Sequence, residues 1–435
     1  MLNFETRTGP ETGADYPDWP VPAWWQDAKL GFFVHWGIYS VPAWATAEPA
    51  PEGREYAWHK YAEWYANTLR IPGSPTAGYH EQRFGLGMSY EDLADLWQVP
   101  DTAVVNLVSW LASCGGRYIV PTTKHHDGFC LWHTNTTPFC AARRGPKQDL
   151  IEQFAAAARA TGMRLGLYFS GALDWHVTNF GPITSDEELF DFRRNDAVFA
   201  NYAACQLREL IGRFAPDILW NDIDWPDAGK GTGPDSLAEI FAAYRAHVPE
   251  GVVNDRWGVP YHGHLTREYV SVDSILPEPW EATRGIGLSF GMNENESQVM
   301  SGCELIRFFV DVVSKNGNLL LNVGPRADGS LPEEQMEPVS ALGNWLRVNG
   351  EAVFGTRAWR RFGDGDLRYT TRGDEVFVHV LDPTHGVVEL PTELRMVRWL
   401  AGGEVAASEP GSSVAIPESL RGEPVAVLVC RGGLD

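Results

Sequence analysis

Leu219-Trp220-Asn221-Asp222-Ile223-Asp224-Trp225 closes an apolar run with two acids set between two tryptophans. Asp217–Asp222 reads as a buried strand, and an unpaired carboxylate held away from water is costly. Charge at such a strand end therefore needs a reason. One reason is a helix N-cap, with Asp222 or Asp224 starting the next helix. The other is a sugar-processing site, in which acids cleave a bond and flat apolar rings meet the C–H faces of a pyranose. The window alone leaves both open, and its surroundings decide.

Leu30–Trp36, Arg117–Thr123, Leu165–Ser170, Val252–Arg256 and Leu319–Val323 have the same continuously apolar character. That pattern marks parallel strands buried on both faces. Helical periodicity lies between them at Thr102–Ser113, Leu150–Thr161, Glu188–Phe214, Ser236–His247 and Glu304–Ser314, and Gly162 stops the second of these. So many strand–helix units predict an α/β fold, either a closed (β/α)8-like barrel or a long open sheet. Pro42–Arg54 and Ser74–Met88 read as long irregular loops over the active-site face, and Glu333–Arg347 as a helix closing the barrel. Beyond Gly355 the runs Glu375–Val380, Val387–Leu390, Val397–Leu400 and Val425–Cys430 are short and separated by turn residues. They predict a small antiparallel β-sandwich. The expected division is a catalytic barrel over 1–351 and the sandwich over 352–435.

Polar or aromatic residues follow each apolar run. Val34 leads into His35-Trp36, Thr123 into Lys124-His125-His126-Asp127, Leu167 into Tyr168-Phe169-Ser170, and Val253 into Asn254-Asp255-Arg256-Trp257. In a β/α barrel all strand C-termini meet at one face, where catalysis occurs. Five coordinated strand ends favour a site over a cap at Asp222. His125-His126 raises the question of a metal, but neighbours on a strand point to opposite sides, and the pair is adjacent rather than in the HxH spacing of metal hydrolases. No metal and no cofactor are expected. The histidines, with the indole N–H groups, read as hydrogen-bond donors to sugar hydroxyls.

The 435 residues are 44 % apolar and include 18 tryptophans, enough for a large core and aromatic walls. A net charge of −22 argues against nucleic acid and anionic membrane surfaces as partners, and suits a neutral substrate. Met1–Arg7 lacks the basic start and apolar run of a secretory leader, so a cytoplasmic location is expected. The six cysteines show no CxxC spacing and read as reduced, mostly buried thiols. A homo-oligomer stays open beside a monomer.

With these residues in view, the chain resembles glycoside hydrolase family 29, the α-L-fucosidases, over essentially its whole length. The matching text includes Lys29-Leu30-Gly31-Phe32-Phe33-Val34-His35-Trp36-Gly37, Glu63-Trp64-Tyr65, Lys124-His125-His126-Asp127-Gly128-Phe129, Trp220-Asn221-Asp222, Asn254-Asp255-Arg256-Trp257-Gly258, Trp280-Glu281 and Gly317–Pro325. The resemblance implies a barrel followed by a β-sandwich. It also implies retaining hydrolysis of terminal α-L-fucosyl residues, from a fucosylated oligosaccharide or glycoside, through a covalent intermediate. Carried over by position, Asp222 is the nucleophile, and His35, Trp64, His125, His126, Tyr168, Trp220 and Arg256 form the fucose-binding set. Phe290 would join Trp64 around the C5 methyl group, whose burial is worth about 0.8 kcal/mol. Glu268, in Leu265-Thr266-Arg267-Glu268-Tyr269, is similar to the acid/base segment of bacterial members with relaxed aglycone specificity. Glu281 is the rival, its other reading being a structural acid directed to Arg284. Two departures stand out. Asp224 sits where some relatives carry Gly, and either couples to Asp222, caps the next helix or faces the aglycone side. Phe169 replaces a frequent second Tyr, removing a hydroxyl contact. The alternatives are an inactive, lectin-like fucose binder and a barrel glycosidase for another 6-deoxy or galacto-configured sugar.

Overall fold

A computed structural model describes residues 13–16, 19–259, 263–402 and 408–432. The leader reading at Met1–Arg7 lies outside them. Eight parallel strands form one curled sheet: β1 Leu30–Val34, β2 Tyr118–Lys124, β3 Arg164–Ser170, β4 Ile218–Asp222, β5 Val252–Val253, β6 Leu265–Glu268, β7 Trp280–Gly285 and β8 Gly317–Val323. Their order is β5-β4-β3-β2-β1-β8-β7-β6, the circular order of a β/α barrel with its ladder open between β5 and β6. At this seam side chains replace the missing ladder. Asp255 Oδ1 accepts from the Thr266 backbone N–H at 3.1 Å and from its hydroxyl at 2.7 Å.

Alternation along the strands creates two cores. Phe33, Val120, Tyr168, Ile218, Trp220, Val252 and Leu320 point into the barrel, where Trp25 and Ala28 plug one end. Phe32, Val34, Ile119, Leu167, Leu219 and Leu321 point outward against the helices. Gly31 is required on β1, because a Cβ there would lie 2.1 Å from the Tyr118 ring. The helix Leu150–Thr161 ends at Gly162 with φ 75°, as its sequence predicts, and is capped at its start by Asp149.

Two expectations need correction, and two strands were not anticipated. Ser74–Met88 is mostly helical, because the Ser74 side chain accepts from Ala77 N–H and Pro75 opens a helix running to Phe84. The single helix expected over Glu188–Phe214 is two, Asp186–Asp191 and Ala197–Phe214, because Asp196 caps the second through the Phe199 N–H. β6 and β7 went unread because Leu-Thr-Arg-Glu and Trp-Glu-Ala-Thr-Arg-Gly carry charge along the strand.

The C-terminal strands are β9 Arg357–Asp364, β10 Leu367–Arg372, β11 Glu375–Val380, β12 Val387–Glu389, β13 Arg395–Trp399, β14 Ser413–Ala415 and β15 Ala426–Arg431. Five form an antiparallel sheet, β13-β15-β11-β10-β9, and β12 pairs with β14. Val376 and Val378 of β11 share a core with Val388 and Val414 of the small sheet, which is the two-layer packing of a sandwich. The opposite faces of β11 and β15 supply Phe377, Val427 and Val429 to the core shared with the barrel helices. Cys114, Cys130, Cys140 and Cys430 are buried free thiols, and Cys205 and Cys303 are exposed. Among the described residues no helix is long and apolar enough to cross a membrane.

Candidate active site

The C-terminal ends of the barrel strands surround a narrow cleft. Ten sequence-selected residues line it: His35 after β1, Trp64 on the following excursion, His125 and His126 after β2, Tyr168 on β3, Trp220 and Asp222 on β4, Arg256 after β5, Glu268 on β6, and Phe290 after β7. β2 ends at Lys124, so the alternation that would separate His125 from His126 no longer applies. Both rings reach the cleft, with centroids 4.1 Å apart.

Arg256 organises two carboxylates. Its Nη1 lies 2.9 Å from Asp222 Oδ1 and its Nη2 lies 2.8 Å from Glu268 Oε2, while the guanidinium rests over the Trp220 ring. The Tyr168 hydroxyl donates to Asp222 Oδ2 at 3.0 Å. Burial alone would raise the Asp222 pKa, but Arg256, His126 and Tyr168 outweigh it and hold this carboxyl below the ordinary range. Glu268 goes the other way. Burial, reinforced by the Asp222 charge, outweighs Arg256 and keeps its pKa raised. One cleft thus holds an ionised carboxylate beside a carboxyl that retains its proton more readily.

The histidines are neutral, and hydrogen-bond accounting fixes what they offer. Burial lowers the pKa of His35 to about 3 and of His126 to about 4. Asn322 Nδ2 donates to the Phe290 carbonyl, so its Oδ1 accepts from His35 Nδ1 at 2.6 Å. The Ser170 hydroxyl donates to the Leu173 carbonyl, so its oxygen accepts from His126 Nδ1 at 2.7 Å. In both rings Nε2 is left as an acceptor. The expectation that the histidines donate is therefore corrected for these two: they accept, and ligand hydroxyls must donate. His125 Nδ1 has no hydrogen-bond partner among the described residues.

Several other expectations are resolved by position. The Trp220 N–H is spent on Glu281 Oε1 at 3.0 Å, so Trp220 offers the cleft its ring and not a donor. Glu281 does not line the cleft. It lies fully buried in the barrel, accepts from Tyr118 Oη at 2.7 Å on its other oxygen, and is 3.6 Å from His264 Nε2. Its structural partners are thus Trp220 and Tyr118 rather than Arg284. Phe169 faces outward with the buried Lys124 ammonium over its ring, so a hydroxyl there would not reach the cleft. Phe290 packs on His35, Tyr61 and Tyr269, whereas Trp64 packs on His59, His126 and Trp175, so the two rings stand on different walls.

Four lining residues were not selected from sequence: Phe33, Tyr61, Glu63 and Thr283. Phe33 belongs to the buried run Leu30–Trp36, Thr283 lies on the unread β7, and Glu63 was visible only as part of Glu63-Trp64-Tyr65. Burial raises the Glu63 pKa to about 7, and its Oε2 accepts from the Gly291 N–H at 2.7 Å. Tyr61 stands near Glu268 and partly offsets the rise of its pKa.

Asp224 neither faces Asp222 nor caps a helix. Ile223 and Asp224 have φ of 52° and 71°, so the chain turns sharply after Asp222. Left-handed backbone is a genuine outlier for β-branched Ile, costing about 1–3 kcal/mol unless its surroundings impose it. Asp224 instead pairs with Arg193 at 2.9 Å and with Lys230 at 2.8 Å.

The family model described as alpha-L-fucosidase matches residues 9–351. The plasma alpha-L-fucosidase of Homo sapiens is 31 % identical over 417 residues, covering 92 % of this chain and 80 % of that protein. The crystal structure of Thermotoga maritima alpha-fucosidase is 42 % identical, with a TM-score of 0.85, and covers 94 % of this chain and 97 % of that one. An alpha-L-fucosynthase of the same organism, in complex with alpha-L-Fuc-(1-2)-beta-L-Fuc-N3, superposes with a TM-score of 0.87 at 41 % identity, covering 94 % and 97 %.

Proposed function

The chain belongs to the α-L-fucosidase family of glycoside hydrolases, and from that premise we propose that it hydrolyses terminal α-L-fucosyl residues with retention of configuration. Asp222 is the nucleophile and Glu268 the acid/base. The observation that carries this reading is the opposite displacement of two carboxyl pKa values in one cleft, Asp222 lowered and Glu268 raised. Environments that push two titratable groups apart divide the acid from the nucleophile. A retaining pair stands about 5–5.5 Å apart, a spacing that oxygens held by the two terminal nitrogens of one guanidinium can meet.

In the first step an Asp222 oxygen bonds to the anomeric carbon as the bond to the aglycone oxygen breaks. The Glu268 proton goes to that oxygen. In the second step Glu268, now a carboxylate, takes a proton from water, whose oxygen displaces Asp222 from the anomeric carbon. Arg256 offsets the charge of whichever carboxylate is ionised. His35 and His126 accept from ring hydroxyls, and Phe290 with Tyr61 offers an apolar corner for the 6-deoxy carbon. The fucose-bearing complexes of the Thermotoga relative support a fucosyl occupant.

Asp222→Gly should leave folding intact and lower kcat on an aryl α-L-fucoside by several orders of magnitude, and near-normal turnover would remove Asp222 from this role. NMR of the first-formed product should show α-fucose ahead of its β anomer. A panel of aryl glycosides, including the α-L-galactoside, separates fucose from other galacto-configured sugars.

A further inference from the structure

We infer that Asp224 is a positioning residue for the reaction. Clamped between Arg193 and Lys230, its carboxylate holds the left-handed turn at Ile223–Asp224 that aims Asp222 into the cleft. The inference rests on the assignment of Asp222 as nucleophile and adds residues outside the cleft lining to its machinery.

The turn is built to one conformation. Asp224 Oδ2 meets Arg193 Nη1 at 2.9 Å, and Oδ1 meets Lys230 Nζ at 2.8 Å and the Trp225 N–H at 2.7 Å. All three side chains are largely buried, so the pairs are poorly screened by solvent. The Asn221 side-chain amide donates to the Asp224 carbonyl and to the Arg256 carbonyl, each at 2.8 Å, tying the turn to the residue that holds both carboxylates. Two glycines make room for it. A Cβ on Gly171 would lie 2.1 Å from the Asp224 carbonyl oxygen, and one on Gly258 would lie 1.6 Å from Asp224 Oδ1. The strand ends on both sides of β4 thus leave space for this turn and little else.

The same turn sends Ile223 into the cluster that includes Trp64, Trp175 and Ile183, behind the cleft wall. Arg193 lies in the break between helices Asp186–Asp191 and Ala197–Phe214, and its Nε donates to the Phe190 carbonyl. The clamp therefore joins three parts: the nucleophile strand, the aromatic wall and the segment after β3. It also keeps the Asp224 charge on two cations rather than beside Asp222, where a like charge would raise the nucleophile's pKa. Loss of the clamp would release backbone that favours another conformation, and Asp222 is the first side chain to move with it.

The test uses the full chain and an aryl α-L-fucoside with a poor leaving group. Asn tolerates positive φ, so Asp224→Asn removes the charge without forcing the backbone. Its kcat should fall about 10- to 100-fold, as expected for displacement on the order of 1 Å at a reacting atom, with the inhibition constant for L-fucose held within about twofold. Arg193→Met should give a loss of the same kind, and the double variant should be little worse than the poorer single, because both substitutions release one clamp. Wild-type kcat in the single variants, additive losses in the double, or fucose affinity falling in step with kcat would overturn the inference. If Asp224→Asn does not fold, Lys230→Met takes its place in the cycle with the same expected pattern. Asp222→Gly is measured alongside. If it stays active the nucleophile assignment has failed, and if it is inactive while the clamp variants behave as wild type, only the clamp has failed.

Discussion

Removing the carboxyl of Glu268, set beside Glu281→Gln, separates two acids that are equally plausible as text. In Glu268→Ala the proton donor is gone, and general acid–base catalysis is worth about 10²–10⁴-fold. At about 1.36 kcal/mol per decade this is about 2.7–5.4 kcal/mol of barrier. The loss should fall on leaving groups that need the proton, so an alkyl fucoside bears all of it and a dinitrophenyl fucoside little. Arg256 Nη2 loses its partner while Nη1 keeps Asp222, so ionisation of the nucleophile should survive, and azide should restore turnover of the activated substrate. In Glu281→Gln one oxygen can still accept from the Trp220 indole, but the amide nitrogen then faces the Tyr118 hydroxyl. A hydrogen bond to a charged group is worth about 1.5–3 kcal/mol, and its loss should appear as lowered thermal stability, with both substrates slowed by one common factor. The assay is kcat/KM for each variant on the two substrates, with and without azide. Glu268→Ala turning over the alkyl fucoside at more than about a tenth of the wild-type rate, or a leaving-group-dependent loss in Glu281→Gln, would refute the reasoning.

Other consequences are equally open to measurement. Burial raises the Glu63 pKa from 4.5 to about 7, so its contribution to stability is fully present below 4.5 and lost as pH rises through 7. Relative to wild type, Glu63→Gln should therefore gain thermal midpoint between about pH 5 and about pH 8, and a constant difference across that window would count against it. Asn322→Ala releases both His35 and the Phe290 carbonyl, and should weaken L-fucose inhibition by about tenfold, a step of about 1.4 kcal/mol. An unchanged inhibition constant would show that Asn322 does not set the pocket. Gly31→Ala drives a methyl to 2.1 Å from the Tyr118 ring and should cost about 1–3 kcal/mol in denaturant unfolding. A neutral result would mean that Tyr118 can withdraw freely.

Much of the frame was legible because it depends on local pattern. Leu30–Val34, Arg164–Ser170 and Gly317–Val323 are short, mostly apolar runs buried on both faces, the pattern of parallel strands inside a layered fold. β6 and β7 escaped because Arg267, Glu268 and Glu281 interrupt the pattern. The two buried acids are tolerated because Arg256, after β5, reaches Glu268, and Trp220 and Tyr118, on β4 and β2, reach Glu281. The helix break before Ala197 was written in Asp196 but masked by helix formers on both sides.

The strand ends determined, from sequence alone, that polar residues would gather at one face, since parallel strands with helical crossovers leave no other place for their C-termini. They determined neither the protonation of those residues nor their partners. Which nitrogen of His35 or His126 carries the proton follows from Asn322 and Ser170. Whether Glu268 or Glu281 enters the cleft follows from depth along the barrel: Glu268 pairs with the cleft-lining Thr283, and Glu281 lies two residues before Thr283 on the same face of its strand. Asp224 became a clamp rather than a second acid because Arg193, 31 residues away, and Lys230 close on it. Charge is long-ranged and burial is collective, so a carboxylate's role is set by what the fold packs around it and not by its neighbours along the chain.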